Sequence, residues 1–261
     1  MAMISGTREW AVASINCVLG CPHRCRYCYA RAKAKKFKLI NNLEEWGTTY
    51  HRVRAKEVRK KRKKFDGTVM FPTTHDITPK GFDACMAVLE NLFEAGNDVL
   101  IVSKPHLECI AEICTKFKEY KDQILFRFTI GAMDDEILSY WEPVAPKFEE
   151  RLASLALAFG NGFRTSVSAE PMLDSDNVAA LFYRLEPIVT DSIWIGKMND
   201  VRNRVQPDTS EEAIARIEVG QTDERIKEIY EQLKNEPKVR WKESFKEVLG
   251  LELPQEPGLD I

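Results

Sequence analysis

The chain has 261 residues, 44% hydrophobic and 30% charged, with a formal net charge of −2. This is the composition of an ordinary globular protein, long enough for one large domain, and it excludes disordered, fibrous and collagen-like chains. The near-zero charge hides an asymmetry: residues 1–80 carry 18 Lys and Arg against 6 Asp and Glu, and the rest carry 20 against 34.

No run of about eighteen apolar residues occurs, so no membrane span is expected. The first ten residues, Met1 to Trp10, lack a charged head followed by an apolar core. The reading is therefore no secretory signal and a cytoplasmic, reducing setting.

In chain order, Trp10–Asn16 reads as a strand running into a cysteine-rich loop, and Ala30–Phe37 as a helix. Thr49–Lys64 reads as a strongly basic helix. Thr68–Phe71 is a predicted strand ending in the polar turn Pro72-Thr73-Thr74-His75-Asp76. Gly81–Ala95 places Phe82, Cys85, Met86, Val88, Leu89 and Leu92 at helical spacing. Asp98–Val102 is a buried strand followed by Ser103-Lys104-Pro105.

The alternation continues with a helix over His106–Tyr120, a strand over Ile124–Ile130 and a helix over Phe148–Phe159. A strand over Phe163–Ala169, a helix over Asn177–Leu185 and a strand over Ser192–Ile195 follow. Gln221–Asn235 and Glu243–Leu249 are amphipathic helices near the end, and Pro254–Ile261 reads as a loose end or docking strap. Strand–helix alternation without hairpin turns predicts a parallel α/β sheet, here of six units. No Gly/Pro/Ser-rich linker interrupts it. A single domain over 1–261 is expected, with a core at about 10–200 and a helical extension at about 208–253.

In a reducing setting the seven cysteines need a reading other than disulfides. Cys21, Cys25 and Cys28 form C-x3-C-x2-C, with Tyr27 just before the third. Three closely spaced thiolates suit an iron–sulfur cluster, and three ligands on a four-iron cube leave one iron open to a small molecule. Cys17 offers an alternative, a four-cysteine site for zinc or a closed cluster. Structural zinc sites usually pair short spacings from separate segments, whereas this run is continuous. Cys17, Cys85, Cys109 and Cys114 read as packed thiols, and His23 as a loop-packing group.

This loop resembles the radical S-adenosylmethionine (SAM) superfamily. Within it the nearest resemblance is to the spore photoproduct lyase and DNA-repair-photolyase-like group. The marks are Cys25-Arg26-Tyr27-Cys28-Tyr29-Ala30-Arg31, the basic stretch, Thr73-Thr74-His75-Asp76, Ser103-Lys104 and Trp241-Lys242-Glu243-Ser244. The resemblance implies a partial (β/α)6 TIM-like barrel with parallel strands and extra C-terminal helices. It also implies a [4Fe-4S] cluster on Cys21, Cys25 and Cys28, whose open iron holds SAM.

The implied chemistry is reductive SAM cleavage to a 5′-deoxyadenosyl radical that abstracts hydrogen from a substrate. An external one-electron reductant, flavodoxin- or ferredoxin-like, would feed the cluster. Tyr27 is then expected beside adenine, Thr73, Thr74 and Asp76 near the SAM amino group, and Lys104 at its carboxylate.

The period-two row Arg164, Ser166, Ser168 and Glu170 is expected to face the cavity, with Lys197 and Asn199 after the sixth strand and Arg127 and Thr129 on the fourth. Ser168, Glu170 and Lys197 join the expected cofactor and substrate contacts. One departure stands out. Those lyases place a hydrogen-donating cysteine in the turn where this chain has Pro72 and Thr73, so their own reaction is not implied.

Charge adds a partner. The basic run Arg52–Lys64 points to DNA or RNA, against the plainer reading of a solvated face. Three functions therefore stand: radical SAM chemistry on nucleic acid or a nucleotide, the same chemistry on a peptide, protein or small metabolite, and a non-catalytic zinc or iron–sulfur module.

Overall fold

A computed structural model describes residue 4 and residues 6–259; the last two residues of the expected tail strap lie outside them. The first elements are β1 (Ala13–Ser14), β2 (Val18–Leu19), α1 (Tyr29–Lys36), β3 (Arg52–Val53) and α2 (Ala55–Val58). Next come β4 (Val69–Phe71), α3 (Phe82–Glu94), β5 (Val99–Ser103), α4 (Leu107–Lys116) and β6 (Ile124–Thr129). They are followed by α5 (Asp135–Trp141), α6 (Phe148–Gly160), β7 (Arg164–Ala169), α7 (Val178–Leu185) and β8 (Ile193–Ile195). The chain continues through α8 (Val201–Arg204), α9 (Glu211–Gly220), α10 (Asp223–Leu233), β9 (Val239–Trp241) and α11 (Glu243–Leu249).

Seven strands form one parallel sheet in the order β1-β4-β5-β6-β7-β8-β9, and β2 pairs antiparallel with β3 in a small second sheet. All six expected strands are present. A seventh, β9, lies inside the stretch expected to be only helical and pairs with β8, Ile193 opposite Val239. The sheet is the expected partial barrel with helices outside, with seven parallel strands where six were expected.

Alternation along each strand sorts the two cores. Val69, Phe71, Val99, Ile101, Phe126, Phe128, Val167 and Ile193 point outward into the main cluster beneath the helices. Their neighbours Met70, Leu100, Leu125 and Trp194 point inward and join Trp10 in a second, smaller cluster that fills the barrel base. Arg127 is fully buried there. Its Nε donates to Ser166 Oγ at 2.9 Å, and its guanidinium carbon lies 4.5 Å from the Trp10 ring centroid and 5.2 Å from that of Trp194.

β1 and β9 are the two edges of the sheet and do not pair with each other. The gap is bridged by a short 3-10 helix, Gly6–Glu9, tied to the start of α11. Lys242 Nζ donates to Glu9 Oε1 at 2.7 Å with both side chains fully buried, and Glu243 N donates to Glu9 Oε2 at 3.2 Å. Lys242 Nζ also lies 4.1 Å from the Trp10 ring centroid. On the C-terminal tail, Gly258 N donates to Arg8 O at 2.9 Å, so the described part of the tail straps the same gap.

The basic stretch departs from expectation. Thr49–Lys64 is not one helix: Arg52–Val53 is a strand, Ala55–Val58 a single turn, and the chain after it is irregular. It has no apolar stripe to bury, and Arg59–Lys64 would stack like charges three and four residues apart. Arg62 turns back instead, donating to the Glu57 carbonyl at 2.6 Å and pairing with its carboxylate at 3.3 Å. Asn97, just before β5, donates to Lys63 O at 3.1 Å and accepts from Phe65 N at 2.8 Å. The end of the run therefore lies at the N-terminal ends of the strands.

Candidate active site

The C-terminal strand ends open into a cavity of about 690 Å³. Cys21, Cys25 and Cys28 line it, and so do Tyr27, Thr73, Thr74, Asp76, Lys104, Ser168, Glu170 and Lys197. Residues separated by as many as 176 positions in the chain (Cys21 to Lys197) thus share one wall system. Thr129 and Asn199 line it too. Arg127, Arg164 and Ser166 do not. The first and third sit in the barrel base, and Arg164 is exposed at the start of β7, paired with Asp191.

Local structure explains the loop. β1 delivers the chain to Cys17, which packs away from the cavity with its Sγ 3.8 Å from Cys85 Sγ, both buried. Gly20 takes φ +91°, and a Cβ there would lie 1.9 Å from Tyr50 O, so this turn needs glycine. Cys21 and Cys25 are buried and Cys28 half-buried. Arg26 N donates to Trp141 O at 2.8 Å and Cys28 N to Cys25 O at 3.2 Å, which fixes the second half of the loop against α5.

Burial pushes the Cys25 thiol up to about 12, against the pull of the Lys104 ammonium, and burial with the Asp76 carboxylate pushes Cys21 well above the ordinary range. Cys21 and Cys25, buried thiols that resist ionisation alone, together with Cys28 make a donor set that bound cationic iron would complete by drawing off the thiol protons. The residues fit a cluster.

Asp76 organises the wall behind the loop. Its Oδ1 accepts from Lys104 N at 2.8 Å and Ser103 Oγ at 3.2 Å; its Oδ2 accepts from His23 Nδ1 at 2.8 Å. Cys21 Sγ lies 3.7 Å from Oδ2 and Lys104 Nζ 3.8 Å from it. Although burial alone would raise it, the Lys104 ammonium and the hydrogen bond from His23 hold the Asp76 carboxyl well below its ordinary value. Conversely, burial opposes the Lys104 charge, but Asp76 and its other anionic neighbours hold its ammonium well above the ordinary value. With Asp76 so engaged, Thr74 has the one side-chain hydroxyl in that turn with no partner among the described residues. Asn16 accepts from Thr73 N and Thr74 N at 2.8 and 2.7 Å and donates to Thr73 Oγ1 at 2.7 Å.

Two charged residues behind the wall are absent from the expected site residues. Glu142 and Arg151 are both fully buried, with Arg151 Nη2 2.5 Å from Glu142 Oε2. The Tyr27 hydroxyl donates to Glu142 Oε1, and Lys104 Nζ lies 3.9 Å from the same atom. The signal was present. Phe148, Arg151, Leu152 and Leu155 share the buried stripe of α6, so an arginine holds a core position and needs a buried partner. Tyr29 was also passed over; it lines the cavity and its hydroxyl donates to Thr73 O at 2.5 Å.

Opposite the loop, Glu170 and Glu243 line the cavity and both approach Lys242 Nζ, at 3.6 and 3.4 Å. The cations at the mouth are less compensated. Arg24 and Lys197 side chains have no acceptor among the described residues, Lys33 Nζ lies 5.2 Å from the Tyr29 ring centroid, and Arg204 Nε is 3.8 Å from Asp200 Oδ2.

The chain is similar to several known proteins. Two uncharacterized proteins are similar: ORF301 of Acidianus two-tailed virus and MJ0683 of Methanocaldococcus jannaschii. The first is 29% identical over 178 residues, 65% of this chain and 58% of its own length. The second is 26% identical over 165 residues, 61% of this chain and 60% of its own length. The chain therefore spans about six-tenths of these relatives.

Among solved structures, a spore photoproduct lyase variant with dinucleoside spore photoproduct matches with a TM-score of 0.52 at 15% identity, over 87% of this chain and 75% of that one. Streptococcus suis SuiB bound to S-adenosylmethionine matches with 0.55 at 12% identity, over 94% and 54%. These likenesses show a shared fold. Residues 15–180, from the end of β1 to the start of α7, match the family description "Radical SAM superfamily", and the chain belongs to that superfamily.

Proposed function

We propose that this protein binds a [4Fe-4S] cluster on Cys21, Cys25 and Cys28 and uses it to cleave SAM reductively. Such cleavage yields a 5′-deoxyadenosyl radical that takes a hydrogen from a substrate in the cavity. The observation that carries the reading is the convergence of the three cysteines and eight polar or aromatic residues on one cavity at the C-terminal strand ends. Lys104 serves the SAM carboxylate as a buried point charge, and Thr73 and Thr74 serve its amino group. Asp76 acts through Lys104 and His23, which it holds in place. Tyr27, fixed by Glu142, flanks adenine, and Ser168, Glu170 and Lys197 meet the ribose or the substrate. The enclosed wall excludes water and stray hydrogen donors, while the cofactor supplies the chemistry.

The substrate class favoured is nucleic acid or a nucleotide. What supports it is the mouth, where Arg24, Lys33 and Lys197 lack carboxylate partners among the described residues while the cavity acids Asp76, Glu170 and Glu243 face buried lysines. Arg52 and Arg54 adjoin the loop through the β2–β3 pair, whereas Lys63 and Lys64 sit at the far end of the barrel. A phosphate chain entering the cavity thus meets the first part of the basic run and not its end.

The test is deuterium transfer. Reconstituted protein with SAM and dithionite, given uniformly deuterated oligonucleotides, should place deuterium in 5′-deoxyadenosine. Transfer from deuterated peptide or metabolite pools, with none from oligonucleotides or nucleotides, would move the substrate to the second class.

A further inference from the structure

We propose that the tip of α1, Lys36-Phe37-Lys38-Leu39, is the docking surface for an acidic one-electron carrier protein that reduces the cluster. The proposal rests on the radical SAM reading, which needs an electron from outside the chain. In this step one electron leaves the reduced carrier and enters the cluster; no bond forms or breaks.

Position comes first. α1 starts at Tyr29, next to Cys28, and its eight residues span about 12 Å at the helical rise, so its tip stands one short helix from the cysteines. Tyr29, Ala30 and Lys33 of α1 line the cavity, but Lys36 to Leu39 do not. A carrier seated on the tip would leave the mouth free for SAM and substrate.

The surface chemistry comes second. Phe37 is 68% exposed and Leu39 51%, beside the buried Ala34 and Ile40. Between Tyr29 and Ile40 lie five basic residues and no acidic one. The Lys35 ammonium is occupied by the Asn41 carbonyl, while those of Lys36 and Lys38 have no partner among the described residues.

Lys38 also takes φ +55°, the left-handed position after a helix where glycine is the default. A long cation is held there in spite of the backbone preference. An apolar centre ringed by like charges is the form of a small, transient, electrostatically steered interface, and an acidic partner complements it. Nucleic acid fits less well, because the exposed apolar side chains of Phe37 and Leu39 flank Lys38 and offer a phosphate chain no charge.

The experiment compares wild type with Lys36→Glu/Lys38→Glu and with Phe37→Ala, all reconstituted anaerobically. 5′-Deoxyadenosine is measured with dithionite and with a reduced acidic flavodoxin or ferredoxin as electron source. Carbodiimide cross-linking to the same carrier is mapped by mass spectrometry. The expected result is unchanged dithionite-driven activity, a carrier-driven rate lower by about tenfold in the charge-reversed protein with a smaller loss in Phe37→Ala, and wild-type cross-links at Lys36 and Lys38. An unchanged carrier-driven rate, an equal fall with dithionite, cross-links elsewhere, or weakened oligonucleotide binding in its place would overturn the assignment. If wild type makes no 5′-deoxyadenosine even with dithionite, the radical SAM reading itself fails, and this proposal with it.

Discussion

The cavity is flanked by two buried charge clusters that differ in balance. Behind the cysteine loop, Lys104 and Arg151 face Asp76 and Glu142, two cations against two carboxylates. Across the barrel gap, Lys242 alone faces Glu9, Glu170 and Glu243. Buried charges are tolerated when paired and hydrogen-bonded, so the first cluster holds its charges at any ordinary pH. The second carries surplus negative charge, and burial together with the neighbouring Glu243 pushes the Glu9 carboxyl up to about 8. The balanced cluster backs the loop that carries Cys21, Cys25 and Cys28, and the unbalanced one bridges the barrel gap and is the one expected to respond to pH.

Breaking the balanced cluster should have the larger effect. Glu142→Gln leaves Arg151 buried without its counter-charge and is expected to cost about 3–5 kcal/mol, read as a lower denaturation midpoint. The same change alters the acceptor of the Tyr27 hydroxyl, so any protein that still folds should bind SAM more weakly. A variant with wild-type stability would show that the pair adds nothing to the wall.

The seam should respond to pH. Between about 4.5 and 8 the folded state keeps a proton on Glu9 that the unfolded chain has released. The unfolded state then binds fewer protons, so stability falls as pH rises through that window. Glu9→Gln cannot titrate and should flatten the slope, the protein losing less stability between pH 6 and 8.5 than wild type. Equal slopes in denaturant titrations at several pH values would contradict the assignment.

The smallest effect concerns the far end of the basic run. Lys63→Glu/Lys64→Glu changes charge at the barrel base and should leave oligonucleotide binding within about twofold. Arg24→Glu/Lys33→Glu at the mouth should weaken it severalfold, most at low salt. The reverse order would place nucleic acid on the wrong face of this account.

Much of this was legible in the sequence because it is periodic or closely spaced. Strands β4 to β8 announced themselves by apolar runs between turns, and the cysteine loop by its spacing. β9 escaped because three residues, Val239-Arg240-Trp241, are too few to show a period and become a strand only against β8. α5 and α9 did carry start signals. Asp134 caps the first by accepting from Glu136 N at 2.7 Å, and Ser210 caps the second by accepting from Ala213 N at 3.2 Å. The basic run failed the other way, since helical propensity without a face to bury did not make a helix. Glu9 and Lys242 were hidden for a different reason: each is a single charged residue whose partner lies 233 positions away, and only the folded barrel brings them together.

The proposed function assigns the SAM-cleaving cluster to Cys21, Cys25 and Cys28, and not to Cys17. It is tested most directly by anaerobic reconstitution of wild type, Cys25→Ala and Cys17→Ala with iron and sulfide, followed by SAM and dithionite. Wild type and Cys17→Ala should yield 5′-deoxyadenosine and Cys25→Ala none. Iron-loaded wild type that leaves SAM intact, or activity that vanishes with Cys17, would contradict it.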